Sequence, residues 1–233
     1  MIQPLPTREA WAEAAADRLA GALADALAAD GRALFAGSGG STPSPIYARL
    51  AQADLDWAKV TATLVDERYV PETSPDSNAA LLKHTLLTGP AAAAQFIPLY
   101  SPAVTVDRAA ALTSRALDAE GRPLDAVLLG MGEDGHICSM FPGSPTLTTL
   151  LTLSLKPAVY GVPAGRDGAA PPQERLTLNL PWLAGARRVV LALTGANKRV
   201  VFEREAAGDP AVSPVAALIA AKAPLEVFWT EAG

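Results

Sequence analysis

The sequence predicts an α/β protein: a mostly parallel sheet with helices on both faces and a small antiparallel portion. Three observations predict it. Short runs rich in valine, leucine and alanine alternate along the chain with amphipathic helical stretches, the order of successive βα units. Most of those runs are apolar throughout, as strands covered on both faces are. The 233 residues are 50% hydrophobic and only 18% charged, which excludes a disordered chain.

Thr7 as N-cap, Glu9 in the first turn and Gly31 just past the end bracket a helix over residues 7–30, with Trp11, Leu19, Leu23 and Leu27 at helical spacing. Arg32–Gly37 reads as a buried strand. Thr42 reads as an N-cap with Pro43 at the first helical position, opening a helix to about Ala53. Val60–Asp66 is a second strand, Ser77–Leu87 a helix, and Phe96–Leu99 a short strand. A helix over Val106–Glu120 stops at Gly121 and leads into a strand over Leu124–Gly130. Arg175–Leu180 alternates like an antiparallel or edge strand. Arg188–Leu193 is a buried strand, Lys198–Ala206 and Val215–Ala221 are helices, and Leu225–Trp229 is the last strand.

Composition bounds the function. Mean hydropathy is +0.20, but no run approaches the roughly 18 apolar residues of a membrane span. The alanine-rich stretch 10–29 is broken by Glu13, Asp17, Arg18 and Asp25, which also rules out a signal-peptide core there. A net charge of −5 argues against nucleic acid as partner; a small anion needs only a local patch. The single cysteine, Cys138, excludes an intrachain disulfide and a thiolate metal cluster, and two histidines leave little room for a metal site. A single domain over 1–233 and a reducing, cytoplasmic location are expected, with no membrane partner and no metal.

In parallel sheets ligands bind beyond the carboxyl ends of the strands, and three strand-to-helix turns there are unusual. Gly37-Ser38-Gly39-Gly40-Ser41-Thr42-Pro43 offers close backbone approach, hydroxyls and free N–H groups at a helix start, an arrangement suited to phosphate. It is neither a dinucleotide nor an NTP fingerprint, and an ordinary βα turn is the plainer alternative. Asp66-Glu67-Arg68 places two carboxylates and a guanidinium after a buried strand, costly unless paired or functional; a structural ion pair is the alternative. Gly130–Gly135 leads to His136, with Asp134 two residues before it, a candidate general base beside a carboxylate that fixes its tautomer. Arg175 and Lys198 are candidate phosphate clamps or plain surface charges. Cys138 reads as a packing residue, and His84 as a surface or packing residue.

These turns, in this order, resemble the 6-phosphogluconolactonase family. The matching stretches are GSGGSTP (37–43), VDERYVP (65–71), SPDSNAALL (74–82), LLGMGEDGHICSMFPG (128–143), ERLTLNLP (174–181) and LTGANK (193–198). The related glucosamine-6-phosphate deaminases typically carry a glutamate before the Pro-Gly that follows the histidine; this chain has Phe141 there, in the lactonase pattern. Ile137-Cys138 departs from the threonine-alanine common in lactonases.

The resemblance implies a Rossmann-like fold and hydrolysis of 6-phospho-D-glucono-1,5-lactone to 6-phosphogluconate, in the oxidative pentose phosphate pathway, by a monomer or weak homo-oligomer without cofactor. In that reading Gly39, Gly40, Ser41, Thr42, Arg175 and Lys198 bind the substrate phosphate. His136 activates water, Asp134 orients it, Arg68 or backbone N–H groups of a glycine turn meet the oxyanion, and Asp66 shapes the site or holds Arg68. Two alternatives stand beside it. One is a glucosamine-6-phosphate deaminase or sugar-phosphate isomerase, with Asp66 as C–H base, against which Phe141 argues. The other is a non-catalytic sugar-phosphate sensor, for which Met1–Thr7 is too short to bind DNA.

Overall fold

The computed structural model describes residues 2–40, 42–102, 105–165 and 172–232. The chain runs through β1 (Ile2–Leu5), α1 (Arg8–Asp30), β2 (Ala33–Gly37), α2 (Ser44–Leu50), β3 (Val60–Leu64), β4 (Asp66–Arg68), α3 (Asn78–Thr85) and β5 (Gln95–Phe96). It continues through α4 (Val106–Asp118), β6 (Ala126–Leu129), α5 (Leu147–Leu151), β7 (Val159–Val162), β8 (Arg175–Leu178) and α6 (Leu180–Ala184). It closes with β9 (Val189–Thr194), α7 (Ala196–Ala206), α8 (Pro214–Ala220) and β10 (Leu225–Thr230).

The expected α/β class holds. Seven strands form one sheet in the order β1-β10-β9-β6-β2-β3-β5, and every pairing in it is parallel. All residues of β2, β3 and β6 are buried, as a doubly covered sheet requires. The antiparallel portion is a separate sheet, β4-β8-β7. Among the described residues, no helix is long and apolar enough to cross a membrane.

The long first helix follows its sequence signals. Thr7 Oγ1 accepts from Ala10 N at 3.1 Å, and Gly31 N returns to the Leu27 carbonyl. Trp11, Leu19 and Leu23 are fully buried. Trp11 Nε1 donates to the Phe228 carbonyl at 3.1 Å, pinning α1 to the last strand.

Three expectations need correction. The strand expected over Val60–Asp66 breaks at Val65. Val65 N donates to the Gly37 carbonyl, and Val65 O accepts from Leu178 N. The chain thus leaves one sheet for the other at that residue, and Asp66–Arg68 pairs antiparallel with β8. Pro43, not Thr42, occupies the cap position of α2, without a side-chain cap bond, and the helix ends at Leu50. Arg175–Leu178 is antiparallel as expected, yet it lies at the centre of its sheet and stops before Leu180, which begins α6. The elements β1, β7, α5 and α6 had no counterpart in the sequence reading.

The topology places the site. From β2 the chain proceeds outward to β3 and β5, then returns to the other side of β2 as β6 and β9. The order therefore reverses between β2 and β6, and the crevice beyond their carboxyl ends is where such sheets hold ligands. The turns after both strands open on it.

Candidate active site

A cleft of about 290 Å³ lies at this reversal. Gly39, Gly40, Thr42, Asp66, Arg68, His136, Arg175 and Lys198 line it together, although they come from five separate stretches of chain. Ser41 falls outside the described residues. Asp134 is not in the lining; it sits behind His136 as its hydrogen-bond partner.

After β2, the turn is shaped by two contacts. Tyr47 Oη donates to the Ser38 carbonyl at 2.6 Å, and burial drives the phenol strongly upward, so it stays a donor. Gly40 has φ 90°, which suits glycine. Gly39 is needed for a different reason: a Cβ there would overlap the Asn78 side chain.

After Val65 the acidic pair divides its work. Glu67 is fully buried and faces inward. Its carboxylate accepts from Arg68 N at 2.7 Å, Asn78 N at 2.8 Å, Ala79 N at 2.7 Å and Ser77 Oγ at 3.1 Å. It thereby satisfies free N–H groups at the start of α3. Burial raises this carboxyl above the ordinary value in spite of those four donors. Asp66 faces the cleft side, accepting from Ser139 Oγ at 2.7 Å and lying 3.9 Å from Arg175 Nη1. It therefore holds Arg175, while Arg68 is held elsewhere: its Nη1 donates to the Asp76 carbonyl at 2.6 Å and to Asn78 Oδ1 at 3.1 Å.

The turn after β6 presents the histidine. Gly132 N donates to the His136 carbonyl at 2.8 Å, closing the loop. His136 Nδ1 meets Asp134 Oδ1 at 2.5 Å, and His136 N donates to the same oxygen at 3.2 Å. A carboxylate at Nδ1 places the proton there and leaves Nε2 as the basic nitrogen. Burial would raise the Asp134 carboxyl, but its bonds with His136 outweigh that and hold it below the ordinary value. Phe141 packs on the imidazole, ring centroids 4.4 Å apart, and lies 5.9 Å from the Arg175 guanidinium carbon.

Cations complete the wall. Burial draws the Arg175 guanidinium below its ordinary value, with Asp66 opposing and Arg68 reinforcing. Lys198, near the start of α7, donates to the Met131 carbonyl at 2.7 Å. Burial lowers the ammonium, with Glu133 and Asp134 countering. Ser38 Oγ, Arg68 Nε and Arg175 Nε are buried without a hydrogen-bond partner, donors that oxygen atoms of a ligand suit. Cys138 is buried, and desolvation with Asp66 nearby pushes its thiol well upward, against a nucleophilic thiolate. His84 is exposed and bonded to the Ala80 carbonyl. Ser38 belongs to the turn read from sequence, whereas Asn78 and Ser139 were not singled out there. Both lie inside matched stretches, Asn78 in 74–82 and Ser139 in 128–143.

Residues 6–229 match the family of glucosamine-6-phosphate isomerases/6-phosphogluconolactonase. The chain belongs to this family. A 6-phosphogluconolactonase of Rhizobium meliloti is 44% identical over 222 residues, covering 94% of each chain. One of Caulobacter vibrioides is 40% identical over 230 residues, covering 99% of this chain and 97% of its own. The crystal structure of a 6-phosphogluconolactonase from Shewanella baltica superposes with a TM-score of 0.90 at 33% identity, over 99% of this chain and 97% of that one.

Proposed function

We propose that this chain hydrolyses 6-phospho-D-glucono-1,5-lactone to 6-phospho-D-gluconate, a step of the oxidative pentose phosphate pathway. One observation carries the reading. The Asp134–His136 pair, backed by Phe141, opens on a cleft that also holds Arg68, Arg175 and Lys198. The full-length likeness to 6-phosphogluconolactonases supports the substrate.

The 6-phosphate sits on the turn of Gly39, Gly40, Ser41 and Thr42, between Arg175 and Lys198, and so positions the ring. His136 Nε2 takes a proton from water as its oxygen attacks the C1 carbonyl. Asp134 stabilises the imidazolium that forms. Arg68 stabilises the oxyanion as the carbonyl bond becomes a single bond. The intermediate collapses, the C1–ring oxygen bond breaks, and His136 returns its proton to that oxygen. A lactone ester is intrinsically reactive, so no covalent nucleophile is needed, and the protonated Cys138 thiol fits that.

Freshly prepared 6-phosphogluconolactone and glucosamine 6-phosphate, offered separately, test the reading. Acid release from the first without ammonia from the second is expected; ammonia release, or no acid above the spontaneous rate, overturns it. His136→Ala lowers kcat by about 10²–10⁴ if it is the base.

A further inference from the structure

We propose that Asn78 is a positioning residue of this site, its carboxamide setting the Arg68 guanidinium and the Gly39 turn against each other. The inference rests on the lactonase reading and adds the group that fixes the cleft's arginine.

Asn78 is the first residue of α3, 3% exposed, and lines the cleft. Its two ends have opposite partners. Nδ2 donates to the Asp66 carbonyl at 2.9 Å and reaches Asp66 Oδ1 at 3.5 Å. Oδ1 accepts from Arg68 Nη1 at 3.1 Å. A carbonyl only accepts and a guanidinium only donates, so the amide has one workable orientation. Its own backbone is fixed, since Asn78 N donates to Glu67 Oε1 at 2.8 Å.

Both bonds shown for the Arg68 side chain leave from Nη1, to Asp76 O and to Asn78 Oδ1, while Nε is buried and unpartnered. An arginine side chain is long and loses rotamer freedom when its fork is fixed. A tether at one end preorganises the fork for an anion. On the amide's other flank lies Gly39. The three atoms nearest a Cβ built there all belong to the Asn78 carboxamide, and Gly39 is absent from the positive-φ glycines. Asn78, not backbone conformation, therefore dictates glycine at 39. One amide joins the end of β4, the start of α3 and the phosphate-type turn.

A double-mutant cycle tests this. Asn78→Ala lowers kcat/KM for the lactone by about 10–100-fold, with thermal unfolding measured alongside. If Asn78 acts through Arg68, the same change in an Arg68→Ala background costs less than about twofold. Asn78→Asp keeps the acceptor for Arg68 but sets an anion against Asp66; it runs the same cycle if the alanine variant does not fold. Gly39→Ala weakens 6-phosphogluconate binding, read calorimetrically, and weakens it far less in the Asn78→Ala background. Multiplicative losses, or an Asn78→Ala enzyme within about twofold of wild type, overturn the proposal. A wild-type chain inert toward the lactone overturns the lactonase reading instead, and the calorimetric cycle still decides the role of Asn78.

Discussion

Arg68 and Arg175 stand directly opposite each other across the β4–β8 ladder, and both line the same cleft. Like charges opposed across strands repel, and burial raises the cost. Asp66 offsets part of it, at 3.9 Å from Arg175. A bound dianion removes the rest, so inorganic phosphate is expected to raise the melting temperature. The gain follows RT ln(1 + [L]/Kd), about 2.7 kcal/mol at a hundredfold excess over Kd. Arg175→Ala is expected to abolish the phosphate-dependent shift and to raise KM for the lactone with a smaller effect on kcat. A shift of wild-type size in that variant removes Arg175 from the anion site.

The Asp134–His136 pair has a signature in acid. The Asp134 carboxyl is held below its ordinary value in the folded chain. Its contribution to stability is therefore complete above the unfolded-state value, about pH 4, and is lost as pH falls through the lower folded value. Wild type is expected to be more stable than Asp134→Asn at neutral pH, and the gap should close below about pH 4. The carboxylate is half exposed, so the gap is small. Urea titrations of both proteins from neutral to acid pH measure it; a gap that widens in acid contradicts the pairing.

What the sequence discloses depends on how far apart the partners lie. The Asp134–His136 pair was legible because both residues belong to one turn after one strand. The 7–30 helix was legible because its caps and its apolar stripe are local signals. The break at Val65 was not, since VTATLVD is unbroken in pattern and the turn-off is dictated by hydrogen bonds of Val65 to the Gly37 carbonyl and from Leu178 N. The β1 strand is four residues long, and its register comes from β10 at the other end of the chain. Asn78 and Ser139 were overlooked for the same reason: their partners Asp66 and Arg68 lie across loops. Of the two roles read for Asp66, shaping the site or holding Arg68, the second does not match the fold, which sets Asp66 beside Arg175.

Glu67 illustrates a buried charge with a structural duty. Four donors converge on it, three of them backbone N–H groups. In Glu67→Gln one oxygen becomes an NH₂ group, which must face a backbone N–H on either orientation. Destabilisation of about 1–3 kcal/mol is expected from the unsatisfied donors, measured by urea unfolding. Because α3 starts with Asn78, catalysis in this variant should fall as well. A variant as stable as wild type shows that the helix start is satisfied by other means.

Gly132 bears on the chemistry through close approach. A Cβ there would overlap both the imidazole of His136 and the carboxylate of Asp134. The clash involves side chains at the cleft wall, and His136 and Asp134 are partly exposed. Gly132→Ala is therefore expected to fold, displacing the pair rather than the core. A misplacement of about 1 Å at a catalytic group costs about 10²-fold in rate. The expected outcome is a kcat lowered by that order, with 6-phosphogluconate affinity and melting temperature close to wild type, because Arg175 and Lys198 are untouched. Steady-state kinetics and calorimetry on the one variant separate the two effects. If affinity falls while kcat holds, the Gly130–His136 turn contributes to binding and His136 is not the base.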